Sequence, residues 1–231
     1  MMAVVRLICG EGGAVVRQVR YVFHAFDSSP YSNCFVGSYD GRVRRDPEDT
    51  RRRLLHAAST EFSLFGFAGA RIERISAASA ANRERIYANF GDKRGLFTAV
   101  LEIELQNLLS AIAVRGTGPE AVAAFADDYF DETCTHPNLA RLAAWEGLEL
   151  GGDAVGLAAR SGAARVKIEE LATAAGMTSA TAEQVFLTVV TLSHGWVISP
   201  NISSVVLGAD GAQLSDRRRT AVRAAAHAAS G

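Results

Sequence analysis

The chain has 231 residues, of which 48% are hydrophobic and 21% charged, and its net charge is −1. That length and balance give a globular protein with one large core or two smaller ones, and no apolar run approaches the roughly 20 residues that a membrane-spanning helix needs. The opening "MMAVVRLICGEGG" has Arg6 and Glu11 inside its apolar run and no small-residue cleavage site after it, so it reads poorly as a signal peptide and the expected location is the cytosol.

Three widely spaced cysteines, Cys9, Cys34 and Cys134, with no CxxC pair, support neither a zinc site nor a disulfide framework. The small net charge hides an asymmetry. Residues 42–94 carry twelve bases and seven acids, whereas residues 95–231 carry nine bases and fifteen acids. A basic module joined to an acidic one suggests an anionic partner for the first. Solvated helix faces would give the same sums.

Residues 1–44 mix Gly, Ser and aromatics with short β-like pieces and show no sustained helical period. They are expected to be a poorly structured extension or an over-extended translation start. Helix begins at "DPEDTRRRLLHAASTEF", where Asp46 can cap, Pro47 takes the first helical position, and Glu48 and Asp49 face the positive helix end. Leu55, Ala58, Phe62 and Phe65 form one apolar stripe, and Gly66 stops the helix. A second helix, "ARIERISAA", points Ile72 and Ile75 inward. Asn82 caps a third, "RERIYANF", with Ile86 and Phe90 inward, and Asp92 caps a fourth, which begins at Lys93 and carries Leu96, Val100, Ile103 and Leu108. Further helices are expected near 119–135, 138–150, 153–175, 179–198 and 215–229, separated by "RGTGP", "THPN", "GGD", "GMTS" and "SPNISSVVLGADG". No strand pattern appears after Asp46, so the fold class is all-α.

The second and third helices have the lengths and turn of a helix-turn-helix. The third would then present its first residues to base edges in a major groove. Arg83 and Arg85 stand there, and arginine suits guanine O6 and N7. Tyr87 faces outward because Ile86 and Phe90 face the core, and Lys93 at the next helix start can meet a phosphate. Arginines on a short amphipathic helix are also a common solvated face, and on spacing alone the two readings stand level.

The stretch from Thr50 to Glu102 resembles, without a gap, the DNA-binding domain of the TetR family of bacterial transcriptional regulators. The resemblance is carried by Gly66-Phe67 after helix one, Ile75 in helix two, and Ile86-Tyr87, Phe90, Lys93, Leu96 and Phe97. It implies a three-helix helix-turn-helix domain over 45–107 and a helical ligand-binding and dimerisation bundle over 108–231. It implies Tyr87 and Lys93 on phosphates and positions around Arg83 and Arg85 on bases. Arg71, Asn82 and Asn89 complete the set assigned to DNA. Three positions depart from the family pattern: Ala70 stands where a capping threonine is usual, Ala80 where the turn has glycine, and Glu84 where the recognition helix has a small residue.

In the second half, "HPNLARLAAWEGLEL" is similar to the helix after the pocket entrance in many members. Phe125, Tyr129, Trp145 and His194 are the candidate effector contacts, although aromatics at helical spacing are more often core. "DDYFDETCTH" spaces Asp127 from Asp131, and Asp128 from Glu132, by four residues. That pattern would suit a divalent ion with His136, but it is more often a solvated acidic face, and no metal is assigned. Catalysis has no motif, and no cofactor is expected. The apolar "TAEQVFLTVVTLSHGWVI" and the alanine-rich last segment, with Ala221, Ala224, Ala225 and Ala228, would pair with their copies in a four-helix interface or pack within one subunit. The expected partners are an operator in double-stranded DNA, a small-molecule effector and a second copy of the chain, with no membrane. Two rival readings are a structural all-α dimer whose basic face contacts a protein or nucleic acid without sequence preference, and a small-molecule-binding module or enzyme that has lost its operator.

Overall fold

The computed structural model describes residues 47–207 and 214–229, and among them every regular element is a helix. In chain order these are α1 Pro47–Gly69, α2 Ile72–Ser79, α3 Arg83–Phe90, α4 Lys93–Ala111, α5 Pro119–Thr135, α6 Asn138–Leu150, α7 Leu157–Ala175, α8 Ser179–Ile198, α9 Pro200–Leu207 and α10 Leu214–Ala229. The expectations for residues 1–44 and for Asp46 as a cap lie outside the described residues. Among the described residues no helix is long and apolar enough to cross a membrane.

One core cluster runs through the described helices. Leu54, Ala58 and Phe62 of α1 belong to it with Ile75 of α2, Ile86 of α3, and Leu96, Phe97 and Val100 of α4. Phe97 meets Phe62 edge to face at 5.0 Å. Each such buried side chain contributes about 2 kcal/mol of transfer free energy. Phe65 departs from the expected stripe and is 47% exposed. The helix breaks one residue later, at Gly66 with φ 72° and ψ 179°, and the Arg74 guanidinium lies over the Phe65 ring at 4.3 Å.

Several boundaries shift for physical reasons. α7 starts at Leu157 rather than 153, because buried Glu146 accepts the Val155 N–H at 2.8 Å and pairs with Arg160 at 2.7 Å, holding the preceding loop against the core. The stretch expected to be a break after Ser199 contains α9, which Pro200 opens at the first helical position, where its missing N–H has no cost.

α10 packs on α5 and α8, burying Val222 and Ala226. The acidic face of α5 is not bare. Asp131 pairs with Arg219 at 2.6 Å, Asp127 with Arg223 at 3.4 Å, and Asp128 with Arg115 at 2.6 Å. Glu132 meets the His136 ring at 2.8 Å. On α10, Ala221, Ala224 and Ala228 face outward.

Candidate nucleic-acid interface

α2 starts at Ile72 after an N-cap, Arg71, that offers no side-chain cap. The missing cap comes from α1. Glu61, only 7% exposed, accepts the Arg71 N–H at 2.9 Å and the Arg74 Nε–H at 2.7 Å. A buried carboxylate on α1 thus satisfies the backbone N–H at the N-cap of α2. Burial pushes the Glu61 pKa up. The Arg74 hydrogen bond, the Arg71 N–H and the charges of Arg74 and Lys93 outweigh it and hold the carboxyl below its ordinary value.

The turn between α2 and α3 is left-handed at Ala80, with φ 52° and ψ 33°, a conformation that costs a residue with a Cβ about 1 kcal/mol. Ser76 compensates by donating its hydroxyl to the Ala81 carbonyl at 2.6 Å, while its own carbonyl accepts the Ala81 N–H at 3.3 Å. Asn82 Oδ1 then accepts the Arg85 N–H at 3.1 Å and starts α3.

Ile86 is fully buried and fixes the rotation of α3, and Phe90 packs partly against the same core. Arg83, Arg85, Tyr87 and Asn89 are consequently exposed, as are Arg71 and Asn82, while Lys93 is half-buried. Their freedom differs. Arg83 pairs with Glu73 at 3.1 Å, and its hydrogen bond with Tyr87 raises its pKa further. Arg85 has no ion pair among the described residues. Asn89 donates its amide to the Arg85 carbonyl at 2.7 Å, so its Oδ1 is the group left to accept. Lys93 Nζ donates to the Ala68 carbonyl at 3.2 Å and lies 5.2 Å from the centre of the Phe67 ring. The outward set is therefore rich in forked N–H donors, which match guanine edges and phosphate oxygens.

Sequence reasoning missed Glu61, although a carboxylate beside Phe62 on an inward-facing stripe is a usable signal. It also missed Arg51, whose guanidinium lies 4.8 Å from the centre of the Phe90 ring and ties the start of α1 to the end of α3. A cleft of about 580 Å³ between α1 and α2 brings Arg52 and Arg53 beside Arg74 and Glu61, next to the interface.

Of the four candidate effector contacts, three meet. Tyr129 Oη lies 3.2 Å from His194 Nε2, and Phe125 sits 5.9 Å from Tyr129 and 5.6 Å from Phe186 between ring centres. Burial lowers the His194 pKa to about 4 and pushes the Tyr129 hydroxyl up, so both are neutral near pH 7. Trp145 packs on α1 instead, where its Nε1–H donates to the Ser63 carbonyl at 3.3 Å.

Two family models match. "Bacterial regulatory proteins, tetR family" covers residues 54–100, and "Tetracyclin repressor-like, C-terminal domain" covers residues 121–227. The chain is 43% identical over 107 residues to the HTH-type transcriptional repressor SCO4008 of Streptomyces coelicolor, a match covering 46% of this chain and 54% of that protein. It is 35% identical over 117 residues to the HTH-type transcriptional repressor NicS of Pseudomonas putida, covering 47% of this chain and 54% of that protein. The chain therefore spans about half the length of the curated relatives it matches. Among solved structures, the regulator SCO4942 of Streptomyces coelicolor superposes with a TM-score of 0.58 at 25% identity, covering 76% of this chain and 97% of that one. A TetR family transcription regulator from Marinobacter aquaeolei shares the fold with a TM-score of 0.60 at 14% identity, covering 79% of this chain and 95% of that one. An outward-facing donor set on a helix-turn-helix, with both halves matching models of one family, leads to a single assignment: the chain belongs to the TetR family of bacterial transcriptional regulators.

Proposed function

We propose that this protein is a transcriptional repressor of the bacterial cytoplasm that binds a palindromic operator as a homodimer and releases it when a small molecule binds. The observation that carries this reading is the outward set on α3. A single buried anchor, Ile86, leaves Arg83, Arg85, Tyr87 and Asn89 facing away from the core. Arg85 and Arg83 read base edges, Tyr87 and Lys93 hold phosphates, and Arg71, Asn82 and Asn89 set the register of the recognition helix. Residues 45–107 form the DNA-binding part, and residues 108–231 take the effector and dimerise through α8 and the exposed alanines of α10. The two similar repressors from Streptomyces and Pseudomonas support repression as the outcome.

Phe125, Tyr129 and His194 belong to the effector region. Their aromatic surfaces and neutral hydrogen-bonded pair favour an uncharged, largely apolar effector, because an ion brought among them would lose its hydration without a counter-charge. Trp145 enters the reading at the joint between α6 and α1.

The test is a binding selection on randomised duplex DNA at two salt concentrations. An enriched palindrome is the expected result. Steep salt dependence without enrichment would reduce the interface to phosphate neutralisation and leave the repressor reading without its operator.

A further inference from the structure

α6 reaches α1 at the point where α1 breaks. At Gly66, with φ +72°, an added Cβ would lie 2.6 Å from Glu149 Oε1 and 2.9 Å from Trp145 Cε3, so two α6 side chains close directly over this glycine. Glu149 Oε2 accepts the Ala68 N–H at 2.8 Å, and the carbonyl of the same residue accepts the Lys93 ammonium at 3.2 Å. The backbone of Ala68 is thus held from one side by α6 and itself holds, on the other side, the side chain assigned to a DNA phosphate. Phe67, next to it, supplies the ring face near the same ammonium.

We propose that Glu149 is a positioning residue for DNA binding: by fixing Ala68 it places the Lys93 ammonium for its phosphate contact. This inference rests on the DNA-binding reading. An ammonium resting on a neutral carbonyl keeps its whole charge and two further N–H donors. Holding the long lysine side chain in place beforehand removes part of the entropy that contact with DNA would otherwise cost. Glu149 touches no DNA in this scheme. Its carboxylate would otherwise oppose binding, so its removal should help on charge alone and hurts only if positioning dominates.

That opposition of signs makes the test sharp. Affinity for the selected operator, and its dependence on salt, are measured for Glu149→Ala, Glu149→Gln, Lys93→Ala and the Glu149→Ala/Lys93→Ala pair. Lys93→Ala is expected to weaken operator binding about tenfold and to reduce the salt slope by about 1. Glu149→Ala is expected to weaken binding about fivefold, a share of the Lys93 effect. Glu149→Gln keeps an oxygen for the Ala68 N–H and should bind within about twofold of the unmodified protein. The double variant should match Lys93→Ala alone, since Glu149 acts only through that lysine. Additive losses, or tighter binding by Glu149→Ala, overturn the role of Glu149 while leaving the operator intact. If Glu149→Ala does not fold, Glu149→Asp, one methylene short of Ala68, enters the same cycle and is read in the same way. A selection that enriches no operator overturns this inference together with the function it rests on.

Discussion

On α3 the polar side chains face outward around one buried anchor, Ile86, whereas on α8 Ser193 is buried and the half-buried His194 ring lies 6.0 Å from that of Tyr129. The two regions need opposite electrostatics. A side chain that must exchange water for a phosphate or a base edge gains from staying charged and hydrated until the partner arrives. A side chain taken out of water without a counter-charge is held in its neutral form, which is why burial lowers the His194 pKa to about 4. Between these extremes sits Glu61, a buried carboxylate kept ionised by Arg74 and the Arg71 N–H. It shows that burial alone does not decide charge; the donors aimed at the group do.

The contrast yields four measurable differences. Glu61→Ala removes both the cap of α2 and the partner of Arg74, and should cost about 2–3 kcal/mol in chemical denaturation. A loss under about 1 kcal/mol would mean that water replaces the carboxylate freely. For Arg85→Ala, about 2 kcal/mol should disappear on the operator and little on random DNA, with a smaller loss for Arg83→Ala because Glu73 and Tyr87 already engage that guanidinium. Equal losses on both DNAs would reassign the two arginines to phosphate.

His194 supplies the pH test. Its folded pKa, about 4, lies below the unfolded value of about 6.5. Its neutral burial therefore supports the fold fully above pH 6.5, and that support is lost as pH falls towards 4. Between pH 7 and pH 5 the expected loss is about 2 kcal/mol. His194→Phe should flatten this part of the stability curve, and a curve with unchanged slope would show that some other group titrates. The smallest effect is at the turn. Ala80→Gly relieves a left-handed residue and should stabilise by about 0.5–1 kcal/mol, seen as a higher Tm. A lower Tm would mean that the entropy of glycine outweighs the relief.

The helix-turn-helix was legible because its signals are local. Asn82 and Asp92 cap as their side chains suggest, and the spacing of Ile86 correctly turns Tyr87 outward. What escaped the sequence depends on distant partners. The α5 carboxylates looked solvated because Arg219, which meets Asp131, lies 88 positions further on. Phe65 looked buried because it continues the spacing of Ala58 and Phe62, but it stands one residue before Gly66, where the backbone leaves the helix. With Ala70 where a capping threonine is usual, the group that meets the start of α2 is Glu61 on another helix. At the aromatic cluster, spacing nominated four residues, but only the packing of α5 on α8 distinguishes Phe125, Tyr129 and His194 from Trp145, which serves α1.

The docking of α10 on α5 also sets an order of events during synthesis. Helices α1 to α4 are close in sequence, and their buried contacts can close as soon as they leave the ribosome. α5 must wait. Asp131 meets Arg219 only 88 residues later and Asp127 meets Arg223 later still, and Val222 and Ala226 reach the core at the same time. A ribosome stalled before α10 would thus display four packed N-terminal helices on a bundle whose apolar seam still lies open, a target for chaperones and proteases.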